Sequence, residues 1–150
     1  MKKIAIDVTE LEKSLTMFVA NKLGLTVDVN VFRGGIPDGV DEGLGVLIDT
    51  DKSNGATWPS VVYEIHAASR AFDAQVVGKY NTREQAWSMV TALRDLYPVW
   101  NEPLHNFTIV SMTGRGDCAV YPVADAGRTK YYTSLNLQLC AVPKTETPST

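Results

Sequence analysis

The chain contains few of the residues from which catalytic and metal sites are built. Its 150 residues include two cysteines, Cys118 and Cys140, and two histidines, His66 and His105. No CxxC pair is present, and a zinc site needs three or four ligands at recognisable spacing. Two isolated cysteines are typical of a reducing compartment, where both stay free thiols. We therefore expect no disulfide, no metal and no cofactor.

The chain also lacks a basic excess and a long apolar run. Its 14 basic and 17 acidic residues give a net charge of −3, whereas a dedicated nucleic-acid-binding protein usually carries a basic stripe. No apolar run approaches the roughly 18 residues that span a bilayer. Asp7 and Glu10 interrupt the apolar segment that a signal peptide would need after its lysines. These absences argue against nucleic-acid binding, membrane insertion and secretion.

Several short patterns resemble catalytic, phosphate-binding or calcium-binding motifs, but each lacks residues or neighbouring elements that such a site needs. Glu64 and His66 share one strand face and could form an acid–base pair, but no nucleophile or third ligand accompanies them. The glycines of loop 33–43 are not spaced as GxGxxG, and no helix follows them. The acidic loop 49–60 lacks the sixth-position glycine and the final acid of a calcium loop. We identify no catalytic residue and expect that the protein is not an enzyme.

The clearest structural pattern lies between residues 58 and 97. Residues 61–67 alternate between two faces, which predicts a half-buried strand. Gly78 breaks that pattern, and residues 83–96 then show the apolar spacing of an amphipathic helix. Asn81, with Glu84 three residues on, predicts a capping box at its start.

The first part of the chain predicts a helix and two strands. Thr9, with Glu12 three residues later, predicts a capping box, and Gly24 predicts the helix end. Residues 25–32 alternate cleanly, as a half-buried strand does. Residues 44–48 form a short apolar strand that we expect to pair antiparallel with it, because the connection is too short for a crossover helix.

The last part of the chain predicts strands joined by turns. Residues 98–106 form a connection with prolines near both ends, and strands are expected at 107–112, 118–123 and 130–142. In the last of them, Leu135, Leu137 and Leu139 share one face, which predicts that this face is buried. Pro122 predicts that the middle one lies at an edge or carries a bulge.

The segregation of helices from strands predicts the α+β class. We expect a mostly antiparallel sheet of five or six strands with two helices packed on it, in the order α-β-β-β-α-β-β-β. Residues 1–142 form a single domain, and the polar residues 143–150 are expected to be a disordered tail.

Two segments resemble the tail terminator and minor capsid (tail-completion) proteins of long-tailed bacteriophages. They are the run Val-Phe-Arg-Gly-Gly-Ile-Pro at 31–37 and the run Val-Tyr-Glu-Ile-His-Ala-Ala-Ser-Arg at 62–70, which leads into the helix at 83–96. Members of that group often show a strand ending in Phe-Arg-Gly-x-x-Pro. They also show a strand with a terminal arginine, followed by a helix ending in leucine. The resemblance covers about residues 9–142.

The resemblance implies a structural protein of the virion, assembled in the cytoplasm of the bacterial host. Such a protein forms a ring, commonly a hexamer, at the head-proximal end of the tail tube. There it stops tube polymerisation and joins the tube protein to the head connector. DNA passes through the ring without specific binding, and the net negative charge is compatible with such a lumen.

A closed ring needs two different complementary patches on each subunit. We expect them on loops 33–43 and 49–57 and on the hairpin around Arg115-Gly116-Asp117, which otherwise represents a simple turn. The candidates for inter-subunit or docking contacts are Arg33, Asp38, Asp41, Glu42, Arg115 and Asp117.

Two other functions stay open. The first is a neighbouring neck or head-completion protein with the same structural role one ring away. The second is a small monomeric ligand-binding or hydrolytic domain with a pocket under the loop that contains Trp58. A strongly perturbed carboxylate or histidine in a closed cleft would favour the second.

Overall fold

The fold was analysed in a computed structural model that describes residues 6–52 and 70–143. Within these ranges it contains two helices and seven strands. The elements are α1 (Val8–Leu23), β1 (Val31–Arg33), β2 (Gly43–Asp51), β3 (Arg70–Tyr80), α2 (Arg83–Arg94), β4 (Val99–Pro103), β5 (Phe107–Gly114), β6 (Ala119–Asp125) and β7 (Arg128–Pro143). Neither of these helices is long and apolar enough to cross a membrane. The α+β class is confirmed.

The strands form one mixed sheet in which β7 holds the central place. The strand order is β1-β2-β3-β7-β5-β4, and β6 pairs with β7 off this path. One side of β7 pairs with β3 along eleven registered positions. The other side is divided between β6, which pairs with residues 128–134, and β5, which pairs with residues 137–143. All pairs except β1 with β2 are antiparallel, which confirms the mostly antiparallel sheet.

The pairing of β1 with β2 corrects the expected antiparallel arrangement. The two strands run parallel, with Val31 opposite Leu44. Asp28 adopts a left-handed conformation (φ 67°) in a turn at 28–30, so the predicted strand at 25–32 shrinks to the three residues of β1. Parallel strands usually need a long crossover connection, because the chain must return to the start of the first strand. Since β1 has only three residues, loop 34–42 can cover that distance without a helix.

Gly78 continues a strand where the sequence predicted a break. It lies inside β3, opposite Thr133 of β7. A side chain here would overlap Thr133 Oγ1 and come within 2.8 Å of Tyr80 Cε2. Glycine is therefore required by close packing, which is a common reason for glycine within a strand. The strand predicted at 61–67 lies outside the described residues.

Strand β4 lies in the segment predicted as a connection. It adds a seventh strand to the five or six expected, and it pairs with β5 at the end of the sheet. Pro103 is its last residue, a position where a missing N–H group costs no ladder hydrogen bond. Asn101 is left-handed (φ 51°) and is skipped in the register.

Both helix starts are shifted from their predicted caps. Asp7, not Thr9, caps α1, because its side chain accepts from the backbone N–H groups of Thr9 and Glu10. Thr82, not Asn81, caps α2, in a capping box with Gln85. The predicted end of α1 is confirmed, since Gly24 is left-handed with φ 68°.

The two helices cover one face of the sheet. Helix α1 packs against β1 and β2, and α2 packs against β3, β6 and β7. Leu135, Leu137 and Leu139 of β7 are at most 1% exposed, which confirms the predicted buried face of this strand. The opposite face of β7 carries mostly polar residues, which are half-buried or exposed.

Candidate functional site

Loop 34–42 is fastened to the sheet by a buried lysine. Lys130 of β7 is only 4% exposed. Its ammonium donates to the carboxylate of Asp41, to the side-chain oxygen of Asn81 and, at 3.3 Å, to the Asp41 carbonyl. The Asn81 amide in turn donates to Asp41 Oδ2 at 2.9 Å, and its backbone N–H donates to Glu42 Oε2 at 3.0 Å.

This network gives two of the six candidate residues a role within the subunit. Hydrogen bonds from Asn81, followed by that from Lys130, hold the pKa of Asp41 below its usual range. Buried ammonium groups need such partners, because an unpaired one is strongly destabilising. Asp41 and Glu42 are thus accounted for without a neighbouring subunit, and their part in assembly stays a prediction.

A second ion-pair cluster holds Arg115. Asp73 of β3 is 6% exposed and accepts from Arg115 through Oδ2. Lys52 Nζ lies 3.0 Å from the other oxygen, Oδ1. Burial acts to raise the pKa of Asp73, but the hydrogen bonds from Lys52 and Arg115 outweigh it, so the pKa is lowered. The cluster ties the turn after β5 to the centre of the sheet.

Replacing Asp73 with asparagine is expected to lower the free energy of unfolding by about 1–2 kcal/mol at pH 7, a range that allows for the solvent exposure of Arg115. A carboxylate whose pKa is lower in the folded than in the unfolded protein stabilises the fold fully at pH values above the unfolded-state pKa of about 3.9. This stabilisation is lost as the pH falls through the folded-state pKa. The difference between the two proteins should therefore shrink below about pH 3.9 in urea denaturation. A difference that is constant from pH 7 to pH 3 would contradict this account.

The remaining three candidates lie at the surface. Arg33 is exposed, and its Nη1 makes one long hydrogen bond, 3.5 Å, to the Thr9 carbonyl. Asp38 and Asp117 are exposed and make no hydrogen bond or ion pair with other residues of the described ranges. The structure thus does not gather the six candidates into one site.

Several sequence-based hypotheses lie outside the described residues. They concern the pair Glu64 and His66, the pocket under Trp58, and the part of loop 49–57 after Lys52.

Both cysteines are free thiols, as expected. Cys118 is half-buried, and the Arg94 guanidinium donates a hydrogen bond to its sulfur, which raises the pKa of Arg94. Burial, followed by the neighbouring Cys118, raises the pKa of Tyr97. Arginine cannot accept a proton, so this contact is not a nucleophile–base pair. Within residues 6–52 and 70–143, no group of three or more potential metal ligands is present.

Strand β6 is an exposed apolar surface that sequence reasoning identified only in part. All seven of its residues are exposed or half-buried, and its only charged residue, Asp125, comes last. It pairs with β7 on one side, and no other described strand pairs with it. Tyr121 is 44% exposed and stacks on Tyr132 with ring centroids 6.1 Å apart. The sequence position of Pro122 predicted that β6 lies at an edge or carries a bulge. The pairing of β6 with β7 is regular, which excludes the bulge.

A groove lies at the other end of β7. Its walls are the second half of α1, the chain after Gly24 and the turn between β4 and β5, and its volume is about 610 Å³. Met17 contributes a 44% exposed apolar side chain, and Leu104 contributes a buried one. We call this the α1–β4 groove. No local sequence pattern predicted it, because residues about ninety positions apart come together only in the fold.

Comparison with known proteins adds little to this geometry. No family model and no curated protein matches the chain. Among solved structures, 22 chains are similar. The alignment with one of them covers 93% of this chain and 93% of the other chain, at 15% sequence identity and a TM-score of 0.39. A TM-score this low supports no conclusion about the fold or function of the protein.

Proposed function

We propose that the protein is a structural component of a long-tailed bacteriophage, where it forms a homo-oligomeric ring at the head-proximal end of the tail tube. In this role it stops tube polymerisation and offers a joining surface to the head connector. The choice of a phage tail rests on the resemblance of the sequence. The proposal of a ring also has a structural basis, which is the exposed apolar edge of β6.

An apolar edge strand of this kind favours assembly. Its outward N–H and C=O groups have no partner in another described strand, and natural proteins usually protect such edges with charge, bulges or covering loops. In β6 only Pro122 and the terminal Asp125 act in that way. A second copy that covers the strand would bury Tyr121 and shield the edge groups from water.

The α1–β4 groove supplies a different surface on the same subunit. It lies beyond the Phe107–Pro143 pair, whereas β6 covers the opposite end of β7. A ring requires two such different patches, because each subunit contacts one neighbour through each of them. We therefore assign β6 and the α1–β4 groove as the two halves of the subunit contact.

Two charge insertions test this arrangement. Ala124→Lys places a charge on exposed β6, and Met17→Lys places one in the groove. Each should weaken self-association at least about tenfold, because an unpaired ammonium would be buried in the contact. Thr91→Lys, at an exposed position of α2, makes the same charge change and should associate like the wild type. Light scattering over a concentration series measures all four proteins.

An equimolar mixture of Ala124→Lys and Met17→Lys distinguishes a ring from a two-fold dimer. Each variant keeps one intact surface, so the mixture should form a heterodimer and nothing larger. A two-fold contact through β6 alone would instead leave Met17→Lys fully associated. That result, or a wild type that remains monomeric up to about 1 mM, would overturn the ring proposal.

The place of the ring is tested separately. Purified protein added to polymerising tail tube protein should shorten the tubes and remain bound at one end, as seen by electron microscopy. Binding to filled heads without any effect on tube length would favour the neighbouring neck protein instead.

A further inference from the structure

A small pocket at the start of α2 has the features of a binding site for a cation. It is lined by Glu42, Tyr80, Glu84, Gln85, Ser88 and Met89 and has a volume of about 430 Å³. Neither ring contact proposed above includes these residues. We call this the Tyr80 pocket.

Tyr80 brings to the pocket a hydroxyl that can donate to or accept from a ligand. The residue is only 9% exposed, yet its hydroxyl makes no hydrogen bond with any other described residue. Burial, followed by the charge of Glu42, raises the pKa of Tyr80, so the hydroxyl stays protonated at neutral pH. The hydroxyl oxygen itself keeps contact with solvent, because the fully buried side-chain oxygens without a hydrogen-bond partner among the described residues are Asp73 Oδ1 and Thr133 Oγ1. A ligand in the pocket can take the place of water at this hydroxyl.

The free polar atoms of the pocket are mainly acceptors. Glu42 uses Oε2 to accept from Asn81, which leaves Oε1 free, and Glu84 is exposed without a partner in the described ranges. The Gln85 oxygen is occupied, since it accepts from Thr82 in the capping box. The hydroxyl groups of Tyr80 and Ser88 can accept as well as donate.

Two carboxylates and two hydroxyls match a ligand that is positively charged and rich in donors. A guanidinium has five N–H donors and no acceptor, and an ammonium has three donors and no acceptor. An anion would meet repulsion from Glu42 and Glu84, despite the nearby helix N-terminus. Met89 gives the pocket an apolar wall against which the methylene stem of such a ligand can pack.

We propose that the Tyr80 pocket binds the guanidinium or ammonium group of an arginine or lysine side chain. The proposal does not depend on ring formation, because all the residues that carry it belong to one subunit. The same group could come from a polypeptide or from a small free amine, and the two sources can be distinguished by the probes used.

Because Glu84 is exposed, the contact should be weak, with Kd values of about 1–10 mM. Two-dimensional amide NMR detects binding in that range. The probes are butylguanidinium chloride, as the small cation, and the capped peptide acetyl-Gly-Arg-Gly-amide, with acetyl-Gly-Asp-Gly-amide as the anionic control. Shifts should be centred on Ser88 and Met89 and should weaken at high salt, because they depend on charge. Tighter binding of the peptide would identify a polypeptide source, whereas equal or tighter binding of butylguanidinium would identify a small amine.

Three variants test the assignment of roles. Glu84→Gln should weaken binding about fivefold or more, and Tyr80→Phe, which keeps the buried ring, should weaken it about threefold or more. Glu10→Gln makes the same charge change in the first turn of α1 and should have no effect. Equal weakening by Glu10→Gln and Glu84→Gln would indicate only general attraction to the negative chain and would overturn the proposal. An absence of shifts at about 50 mM of either cation would also overturn it.

Discussion

Replacing Leu137 with alanine is expected to lower the free energy of unfolding by about 3–5 kcal/mol. The side chain is fully buried beneath the helices, and the residue pairs with Ala74 of β3 on one side and Gly114 of β5 on the other. Truncation removes buried methyl groups and leaves a cavity between the sheet and the helices, and the strands relax little because they are hydrogen-bonded on both sides. Urea denaturation followed by circular dichroism measures the loss.

The neighbouring Gln138 provides the matched control. It lies on the opposite face of the same strand and is exposed. Gln138→Ala should change the free energy of unfolding by less than about 0.5 kcal/mol. A loss below about 1 kcal/mol for Leu137→Ala would show that the centre of β7 is not the packed core described above.

Replacing Gly78 with alanine is expected to cost about 2–3 kcal/mol, although alanine is usually the better strand residue. The added methyl group would overlap Thr133 Oγ1, approach Tyr80 Cε2 to 2.8 Å and approach Leu44 Cδ2 to 3.3 Å. Because β3 is paired on both sides, it cannot move away to relieve this overlap. The midpoint of urea denaturation should fall accordingly.

A double-mutant cycle identifies the cause of that loss. Thr133→Ala removes the overlapping hydroxyl, so the double variant Gly78→Ala/Thr133→Ala should be more stable than the sum of the single changes predicts. Thr133→Val keeps the volume of the side chain but removes a fully buried hydroxyl that has no hydrogen-bond partner among the described residues. It should be neutral or stabilising on its own and should not rescue Gly78→Ala. Simple additivity in the double variant would mean that Thr133 is not the obstacle.

The sequence was informative where a regular pattern meets one buried face. The alternation of β7 predicted which leucines are buried, and the helical spacing of the apolar residues in 83–96 predicted α2. It was less informative about helix starts, where adjacent residues can serve equally well as caps. Asn81 could have capped α2, but its side chain binds Asp41 and Lys130 instead, so Thr82 takes the cap.

The candidate sites were harder to predict because their partners are distant in sequence. Lys130 and Asp41 lie 89 positions apart, and Arg115 and Asp73 lie 42 positions apart. Nothing local to Asp41 or Arg115 distinguishes an internal ion pair from an inter-subunit one. Tyr80 likewise ends an ordinary strand pattern, and only the fold brings it into one pocket with Glu42 and Glu84.

The central place of β7 also determines when the protein can fold during synthesis. Strands β3, β5 and β6 all pair with β7, and every other described element precedes it in the chain. The contact between Arg70 and Ala141 spans about half of the chain. While β7 is still inside the ribosome, three strands have an open edge, and the core beneath them lacks one wall. We therefore expect cooperative folding only after Pro143 emerges, at the slow rate typical of long-range strand pairing.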